Sequence, residues 1–479
     1  MDLGFETTGN AVLVFRDKKP VLVTDPWITG GAYFGSWGLS HEIPQQVTRA
    51  ILDSEYVWIS HGHPDHLSAR SLDPLGGKRI LLPDHVGGLI AAGLRERGFN
   101  VEILKDRKWY QLSRNLRVLC IADYDQDAIL LADVGGTLVC DFNDASDHGW
   151  GPFVKKIIRG FHDSFLLCLT GYGDTDMINI WREDGSFIEP RAARKRPVGS
   201  TIARLNHAWG TRYFIPFSSM HIYERQDSAW ARQYRTDLPD YAIGFESTVS
   251  QLLPAFISYD VERRCWEPLS PTARDVTPKP PEEFGDDWSQ DLEADDKKRL
   301  SHYFKSAEFL ADYLNFINIR SGGKDYVIEL AKSRFKRGIT FEAPRNSLMT
   351  AIENEVFDDM LIGNFMKTIL HGNFRSVPLY PYVGEYLTKF ADNGRAKSRG
   401  EVRRYLAEYR RRAPLSYLRY WLARSAMESV RFRLRTDSLP YKIAASAYHR
   451  ALNPRLVLHD LGVVRRRPGT TVFEGTNHH

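Results

Sequence analysis

Six consecutive residues, HGHPDH (61–66), hold three imidazoles and one carboxylate. The preceding run YVWIS is apolar and typical of a buried strand, so these six residues form a loop at the end of a strand. His61 and His63, two positions apart, can point at one site from such a loop. Asp65 and His66 then point toward a second site close by. Imidazole and carboxylate together suit zinc, iron or manganese better than calcium or magnesium. The pattern predicts a transition-metal centre, with a histidine-rich surface loop as the alternative.

Short β-rich runs alternate with helical stretches through the first half of the chain, which predicts sheets packed between helices. We expect a catalytic domain over 1–250, followed over 251–296 by a proline-rich and acidic linker or surface excursion. A mainly helical region is expected over 297–479. Helices are predicted there over 297–317 and 347–370, with KDYVIELA and KRGITFEA between them as a small strand pair.

The composition is that of an ordinary globular protein, with 43% hydrophobic and 26% charged residues among 479. A formal net charge of +4 gives no electrostatic reason to expect nucleic-acid binding. The four cysteines form no C-x-x-C pair, and three lie in apolar runs, which favours buried thiols in a reducing compartment. The sequence shows no signal peptide, and no apolar run reaches the roughly 18 residues of a membrane span. We therefore expect a cytoplasmic protein.

The segment 395–435 is rich in arginine. Its first part, RGEVRRYLAEYRRR, repeats charge at helical spacing with Glu401 and Glu408 interleaved, which is also typical of a solvated helix face. Its second part, LSYLRYWLARSAMESVRF, mixes aromatic and basic side chains. That mixture suits contact with an anionic membrane surface or a partner protein. A solvated surface remains the alternative.

The stretch SHGHPDHLS resembles the signature of the metallo-β-lactamase-fold superfamily. The resemblance implies an α+β fold, an αββα sandwich with helices outside two sheets, that carries one or two metals at one sheet edge. It assigns His61 and His63 to a first metal, and Asp65 and His66 to a second.

The superfamily pattern expects three further ligands: a histidine, a bridging aspartate after a strand, and a last histidine. The strand-like run GGTLVCDFND offers Asp144 as the bridge, with Asp141 as its rival, and His221 follows the run RYFIPF. The middle histidine is missing, and Asp123 and Asp125 lie in its place. A carboxylate there favours iron or manganese over zinc, as in superfamily members that activate oxygen at a di-iron centre. Alternatively, the two aspartates are turn residues and the site holds one metal.

Three longer stretches resemble the catalytic domain of the CMP-N-acetylneuraminate hydroxylases. They are DPWITGGAYFGSWGLSHEIP (25–44), ARLNHAWGTRYFIPF (203–217) and VFDDMLIGNFMKTILHGN (356–373). The resemblance implies iron and molecular oxygen, and a hydroxylation on a nucleotide sugar. That family also carries a Rieske domain, whose cluster needs two cysteines and two histidines. No C-x-H or C-x-x-H pair is present here. Electrons would therefore come from a separate protein or from the substrate.

Aromatic residues of the glycine-rich stretch are candidates for a wall that contacts substrate over the metals, with packing on the sandwich as the alternative; they are Trp27, Tyr33, Phe34 and Trp37. His41 and Glu42 are candidate catalytic residues for proton transfer, or alternatively part of a helix cap region. His148, His162 and Asp163 are spare candidate ligands.

These features predict a metalloenzyme with two transition-metal ions, iron favoured and zinc or manganese as alternatives. The expected reaction is hydroxylation or N-oxygenation of a polar small molecule, such as a nucleotide-linked or amino sugar. The alternative is a hydrolase in which metal-bound hydroxide attacks a phosphoester, lactone or amide. A third possibility is an inactive scaffold whose basic helices bind a partner.

Overall fold

The computed structural model describes residues 1–171, 178–330, 335–374, 379–380, 382–433, 438–440 and 443. Its strands are β1 Leu3–Thr8, β2 Val12–Asp17, β3 Lys19–Thr24, β4 Trp37–Leu39, β5 Tyr56–Trp58, β6 Arg79–Pro83, β7 Asn100–Leu104, β8 Trp109–Gln111, β9 Leu116–Ala122, β10 Ala128–Val134, β11 Thr137–Asn143, β12 Ser164–Cys168, β13 Ile180–Arg182, β14 Tyr213–Pro216, β15 His221–Tyr223, β16 Gln251–Leu252, β17 Ile257–Asp260, β18 Cys265–Pro268, β19 Phe316–Ser321, β20 Lys324–Glu329, β21 Gly338–Glu342 and β22 Lys367–His371.

The α-helices are α1 Gln45–Asp53, α2 Ala69–Leu72, α3 Leu89–Glu96, α4 Gly151–Ile158, α5 Val198–Trp209, α6 Ala294–Ser306, α7 Arg345–Asn354, α8 Phe357–Ile362, α9 Arg399–Arg412 and α10 Pro414–Arg433. A π-helical segment spans Tyr382–Asn393. Short 3-10 helices are Asp73–Leu75, Arg191–Arg194, Ala229–Tyr234, Leu238–Ala242, Pro281–Phe284 and Glu308–Asp312.

Two mixed sheets pack face to face. One has the strand order β18-β17-β1-β2-β3-β5-β6-β7 and the other β16-β14-β12-β11-β10-β9-β8. Apolar side chains from their inner faces form one buried core, which includes Phe5, Trp58, Leu130 and Phe165. Helices α1 and α3 cover the outer face of the first sheet, and α4 and α5 cover that of the second. The predicted α+β fold, an αββα sandwich, is confirmed.

The strands β16, β17 and β18 come from residues 251–268, a stretch predicted as linker or excursion. Strand β17 pairs antiparallel with β1, and β16 pairs parallel with β14, so this stretch supplies strands to both sheets of the sandwich. These contacts extend the sandwich beyond residue 250, where a linker or excursion was expected. The three-part domain division itself stays a prediction.

The C-terminal region contains a further sheet, in the order β13-β22-β21-β19-β20, together with helices. Helix 297–317 was predicted too long, because α6 ends at Ser306 and FINIRS (316–321) forms β19. The predicted helix 347–370 is likewise broken at Glu355, whose φ is 55°, and its end is strand β22. The two predicted strands exist but do not pair with each other, since β19 lies between β20 and β21. Branched and aromatic side chains packed in this sheet outweigh the helical pattern.

Cys120, Cys140 and Cys168 are buried free thiols, as their apolar surroundings predicted, whereas Cys265 is exposed. Helix α9 begins with a capping box, in which Ser398 Oγ accepts the Glu401 N–H and Glu401 accepts the Ser398 N–H. Helix α10 exposes Leu415 and Trp421. The predicted contact of this segment with a membrane surface or protein stays a prediction, and its residues 434 and 435 lie outside the described part. Among the described helices, none combines the length and apolar character that crossing a bilayer requires.

Candidate metal centre

The central strands of the first sheet position the histidine loop. Strands β3, β5 and β6 run parallel, so their carboxyl ends meet at one edge of the sheet. Asp25 follows β3, the loop with His61 follows β5, and His85 follows β6. The sequence therefore brings side chains from three separate segments together at this edge.

His61 and His63 point nitrogen atoms at one another across the loop. His61 Nε2 lies 2.8 Å from His63 Nδ1 and 3.9 Å from Asp144 Oδ2. Two donors bound at about 2.1 Å to a single metal ion lie about 3 Å apart, so this spacing fits a shared ion. One atom from each of the three side chains lies within 4.8 Å of the other two. The arrangement fits the predicted first metal.

A second group of donors lies beside the first. His66 Nε2 is 3.5 Å from Asp65 Oδ2 and 3.5 Å from Asp144 Oδ2. Asp144 therefore faces His61 and His66 at once, as a carboxylate between two metal ions would. All four donor residues of the loop, His61, His63, Asp65 and His66, are buried, with at most 8% of their surface exposed. We call His61, His63, Asp65, His66 and Asp144 the histidine cluster.

Asp25 fixes the orientation of the loop. Its carboxylate accepts the Ser60 N–H at 2.7 Å and the Ser60 O–H at 2.7 Å, and lies 2.9 Å from His66 Nδ1. The backbone of Asp25 has a φ of 40°, a strained value for a residue with a side chain. Metal-binding histidines usually give their second ring N–H to a carboxylate or carbonyl. Asp25, recognised in the sequence only as part of the DPW stretch, supplies that acceptor for His66.

Asp65 is held by two buried donors. Asn10 Nδ2 donates to Asp65 Oδ2 at 2.8 Å, and the Tyr33 hydroxyl donates to Asp65 Oδ1 at 2.6 Å. Burial and the charge of Asp65 raise the pKa of Tyr33 well above its usual range. Tyr33 therefore remains a hydroxyl donor, and it fixes the carboxylate beside His66.

Asp144 and Asp141 occupy different places at the end of β11. A register shift between Asp141 and Asn143 ends the strand, and a bulge of this kind redirects the chain. Asp144 follows the shift, accepts a hydrogen bond from Ser218 Oγ and faces the histidines. Asp141 is buried within the strand, beside Asn143. Burial raises its pKa well above the usual range of a carboxyl group. The geometry favours Asp144 as the bridge.

His221 begins β15, which pairs with β4, so that its ring stacks on Trp37 with the centroids 3.5 Å apart. Both ring nitrogens are buried and lack a partner within the described residues. Burial lowers the pKa of His221 to about 3, so the ring is neutral with a free lone pair. An orphaned neutral imidazole fits a metal ligand, because burying an unpaired polar group otherwise costs stability. Trp37 thus contacts a candidate ligand, whereas Trp27 is fully buried and donates to Gly30 O.

Asp123 and Asp125 lie in the turn between β9 and β10 and are in neither group of converging donors that the described residues form. Asp123 Oδ1 accepts the N–H groups of Asp125 and Asp127, which is a turn role. Asp123 Oδ2 lies 3.7 Å from His148 Nε2, and Asp125 Oδ2 lies 3.9 Å from the same atom. The structure therefore places these aspartates with His148 rather than with the histidine cluster, and their role as ligands stays a prediction.

His41 and Glu42 lie on another surface. His41 Nδ1 is 2.8 Å from Ser40 Oγ, and the His41 ring packs against Phe256 in a largely apolar pocket of about 420 Å³. The residues that line this pocket include none of the histidine cluster. Glu42 is exposed. His162 and Asp163 precede β12, at the opposite end of that strand from the cluster, and Asp163 pairs with Arg212.

The C-terminal region supplies residues that the sequence analysis did not single out. Asp358 Oδ2 lies 3.1 Å from His63 Nε2, and His63, Asp358 and Asp359 form a second group of converging donors. Lys389 Nζ lies 3.8 Å from Asp127 Oδ1. Nearby carboxylates raise the pKa of Lys389, although burial alone would lower it. The sequence feature that could have indicated Asp358 and Asp359 is their position as an adjacent acidic pair within the apolar run VFDDMLIGNF.

The three clustered histidines differ in their electrostatic surroundings. Burial, together with His66 and His63, holds the pKa of His61 well below its usual range, so this ring is neutral. Burial would also lower the pKa of His66, but Asp65, Asp144 and Asp25 raise it well above its usual value. Without metal, His66 therefore carries positive charge between carboxylates. A cation at this position would replace that proton.

Acid is expected to destabilise the metal-free protein partly through His85, whose Nε2 donates to Ser60 O at 3.2 Å. Burial lowers the pKa of His85 to about 4. Because the folded state disfavours protonation, stability is fully present above about pH 6.5 and falls as the pH decreases toward 4. The loss through this group is about 2 to 3 kcal/mol. Urea unfolding of wild type and His85→Gln at pH 7 and pH 4.5 measures it, and an equal pH dependence in both would contradict the assignment.

Comparison with known proteins gives the following matches. No family model matches the chain. It is 28% identical over 233 residues to the inactive cytidine monophosphate-N-acetylneuraminic acid hydroxylase of Homo sapiens, covering 47% of this chain and 46% of that protein. It is 26% identical over 235 residues to the hydroxylase of Mus musculus, covering 47% of this chain and 40% of that protein. The chain spans less than half the length of these curated relatives.

Among solved structures, CmlA, a diiron beta-hydroxylase from Streptomyces venezuelae, matches 46% of this chain and 45% of its own with 14% identity and a TM-score of 0.31. That similarity is too weak to support an inference about function. The αββα layers and the curated matches confirm the resemblance predicted from the sequence. The chain thus has an αββα sandwich and is similar, over 47% of its length, to the cytidine monophosphate-N-acetylneuraminic acid hydroxylases.

Proposed function

We propose that this protein is a metal-dependent oxygenase with a dinuclear iron centre that hydroxylates or N-oxygenates a polar metabolite, such as a nucleotide-linked or amino sugar. One observation carries the proposal. Asp144 Oδ2 lies 3.9 Å from His61 Nε2 and 3.5 Å from His66 Nε2, between the two groups of histidine-loop donors. A carboxylate in that position suits two neighbouring cations.

The donor set supports iron. Two carboxylates, Asp65 and Asp144, lie among the imidazoles of the cluster. Hard anionic donors favour iron or manganese over zinc. The sequence similarity to hydroxylases supports an oxygenase over a hydrolase.

The chain's own residues would bind and orient the metals and limit the access of water. When bound, iron supplies the redox chemistry by which molecular oxygen is activated. His61 and His63 would hold one ion and Asp65 and His66 the other, with Asp144 between them and His221 as a further ligand. The hydroxyl of Tyr33 and the amide of Asn10 fix Asp65, while Asp25 fixes His66.

A buried aromatic cluster that includes Trp27, Tyr33 and Trp37 contacts Asp65 through Tyr33 and His221 through Trp37, and would limit the access of bulk water to these ligands. Electrons would come from a separate donor protein or from the substrate. No cysteine of this chain has a histidine at the spacing of a Rieske cluster. Both the substrate class and the electron donor belong to this proposal.

Elemental analysis of anaerobically purified protein tests the metal. We expect about two irons per chain and substantial loss of iron in His63→Ala. Thr350→Ala, a change on an exposed part of α7, provides the control. Stoichiometric zinc, with no oxygen consumption in the presence of a reductant, would instead support a hydrolase that uses metal-bound hydroxide.

A further inference from the structure

His63 contacts an acidic residue that lies 295 positions later in the chain. The Nδ1 atom of His63 faces His61 Nε2 at 2.8 Å, and its Nε2 atom lies 3.1 Å from Asp358 Oδ2. One imidazole therefore has one nitrogen inside the histidine cluster and the other on the C-terminal region. A neutral imidazole carries one ring proton, so the nitrogen that binds a cation is the one without it.

The position of Asp358 is set by a rigid element. Every residue of α8, from Phe357 to Ile362, is buried, and Asp358 itself is 7% exposed. The N–H of Phe357 donates to Asp392 in the π-helical segment. Since an isolated carboxylate is costly to bury, Asp358 must have a partner, and His63 is that partner.

His63 Nε2 is the donor in the contact with Asp358. A carboxylate oxygen accepts hydrogen bonds, so the 3.1 Å contact between His63 Nε2 and Asp358 Oδ2 places the ring proton of His63 on Nε2. The Nδ1 lone pair then points toward His61 and Asp144.

The same division of roles recurs in the other two histidines of the loop. His66 Nδ1 lies 2.9 Å from Asp25 Oδ2, while its Nε2 faces Asp144. His61 Nδ1 lies 2.9 Å from Ser60 Oγ, while its Nε2 faces His63 and Asp144. Each ring thus has one nitrogen on a protein partner and one directed at the proposed ions.

We infer that Asp358 is a positioning residue of the metal centre, through which the C-terminal region fixes the ring orientation and the proton of His63. This inference rests on the proposed metal centre. It also makes the centre a joint product of the sandwich and the C-terminal region. The competing arrangement is a metal bound directly by His63, Asp358 and Asp359. In that arrangement the metal would occupy His63 Nε2, and His63 Nδ1 would carry the ring proton and face His61.

Metal binding by Asp358 variants tests the inference. Purified metal-free wild type, Asp358→Asn, Asp358→Ala and Asp359→Asn are titrated anaerobically with Fe(II), and with Co(II) for its absorption spectrum. Removing the second partner of a metal-binding histidine typically lowers metal affinity 10- to 100-fold. We expect about 100-fold for alanine, about 10-fold for asparagine, which can still accept the hydrogen bond, and an unchanged number of ions in both.

The matched control is Asp359→Asn, which removes the neighbouring carboxylate and is expected to bind metal within about threefold of wild type. A changed Co(II) spectrum in the Asp358 variants, with thermal unfolding of the metal-free proteins close to wild type, would support positioning over a general packing effect. Wild-type metal affinity in both Asp358 variants would overturn this inference and leave the proposed metal centre standing.

Loss of one whole ion from the variants at both Asp358 and Asp359 would overturn the inference in favour of direct ligation. A wild-type chain that binds neither metal would refute the proposed centre, and this inference with it. The asparagine variant keeps the test valid if the alanine variant fails to fold.

Discussion

Replacing Asp144 by asparagine is expected to remove most of the bound metal, leaving fewer than half of the ions that the wild-type chain retains. The Asp144 carboxylate faces His61 and His66 together, so its loss weakens both proposed positions at once. Asparagine keeps the size of the side chain and can still accept the hydrogen bond from Ser218. The measurement is metal content per chain after gel filtration, with thermal unfolding of the metal-free protein as a check on folding.

The matched comparison is Asp141→Asn, at the rival position on the same strand. Asp141 is 1% exposed, and burial raises its pKa well above the usual range. An uncharged side chain of the same shape should therefore be tolerated, with metal content near that of wild type. If Asp141→Asn loses the metal and Asp144→Asn retains it, the bridging role belongs to Asp141.

Removing the buried charge of Arg225 is expected to destabilise the fold by about 3 to 5 kcal/mol, the usual effect of breaking a buried ion pair. The Arg225 side chain is fully buried; it donates to Asp286 at 2.7 Å and to Asp227 at 2.8 and 2.9 Å. It also donates to Phe34 O, next to the Tyr33 that holds Asp65. Arg225→Leu therefore leaves Asp286 without its buried counter-charge and loosens the loop that carries Tyr33. Denaturant unfolding measures the loss.

The control for this prediction is Arg263→Leu, which removes an exposed arginine 3.9 Å from Asp260. An exposed pair of this kind contributes at most about 1 kcal/mol. Arg225→Leu should also bind metal more weakly, because the segment from Tyr33 to Trp37 contacts Asp65 and His221. A free energy of unfolding within about 1 kcal/mol of wild type would show that the buried pair contributes little net stability.

The sequence predicted the candidate ligands that lie within one short loop or shortly after a strand. The loop 61–66 follows a strand directly, so its spacing alone places three imidazoles and a carboxylate together. Asp144 and His221 each follow a recognisable strand, and the structure brings Asp144 to the loop. The same reasoning failed over 297–317, where a helical pattern continues into the sequence of β19. There the partner strands β20 and β21 decide the conformation, and single-segment periodicity does not contain them.

The motif could not predict contacts between segments that are far apart in the sequence. Asp358 lies in an apolar helix with no ligand-type spacing, and its relation to His63 exists only in the folded chain. Asp123 has a position in sequence that suggests a ligand, yet its oxygen closes a turn onto Asp125 and Asp127. A turn aspartate and a ligand aspartate share one local pattern, and only their three-dimensional neighbours distinguish them.

The hydrogen bond between His63 and Asp358 also sets an order of events during synthesis. His63 leaves the ribosome 295 residues before Asp358 does. At about 5 to 20 residues per second, that interval lasts roughly 15 to 60 s. A nascent chain in this interval has its histidines but not the acceptor that sets the tautomer of His63. In the proposed centre, the ring of His63 is therefore fixed only after Asp358 has been translated and helix α8 has docked.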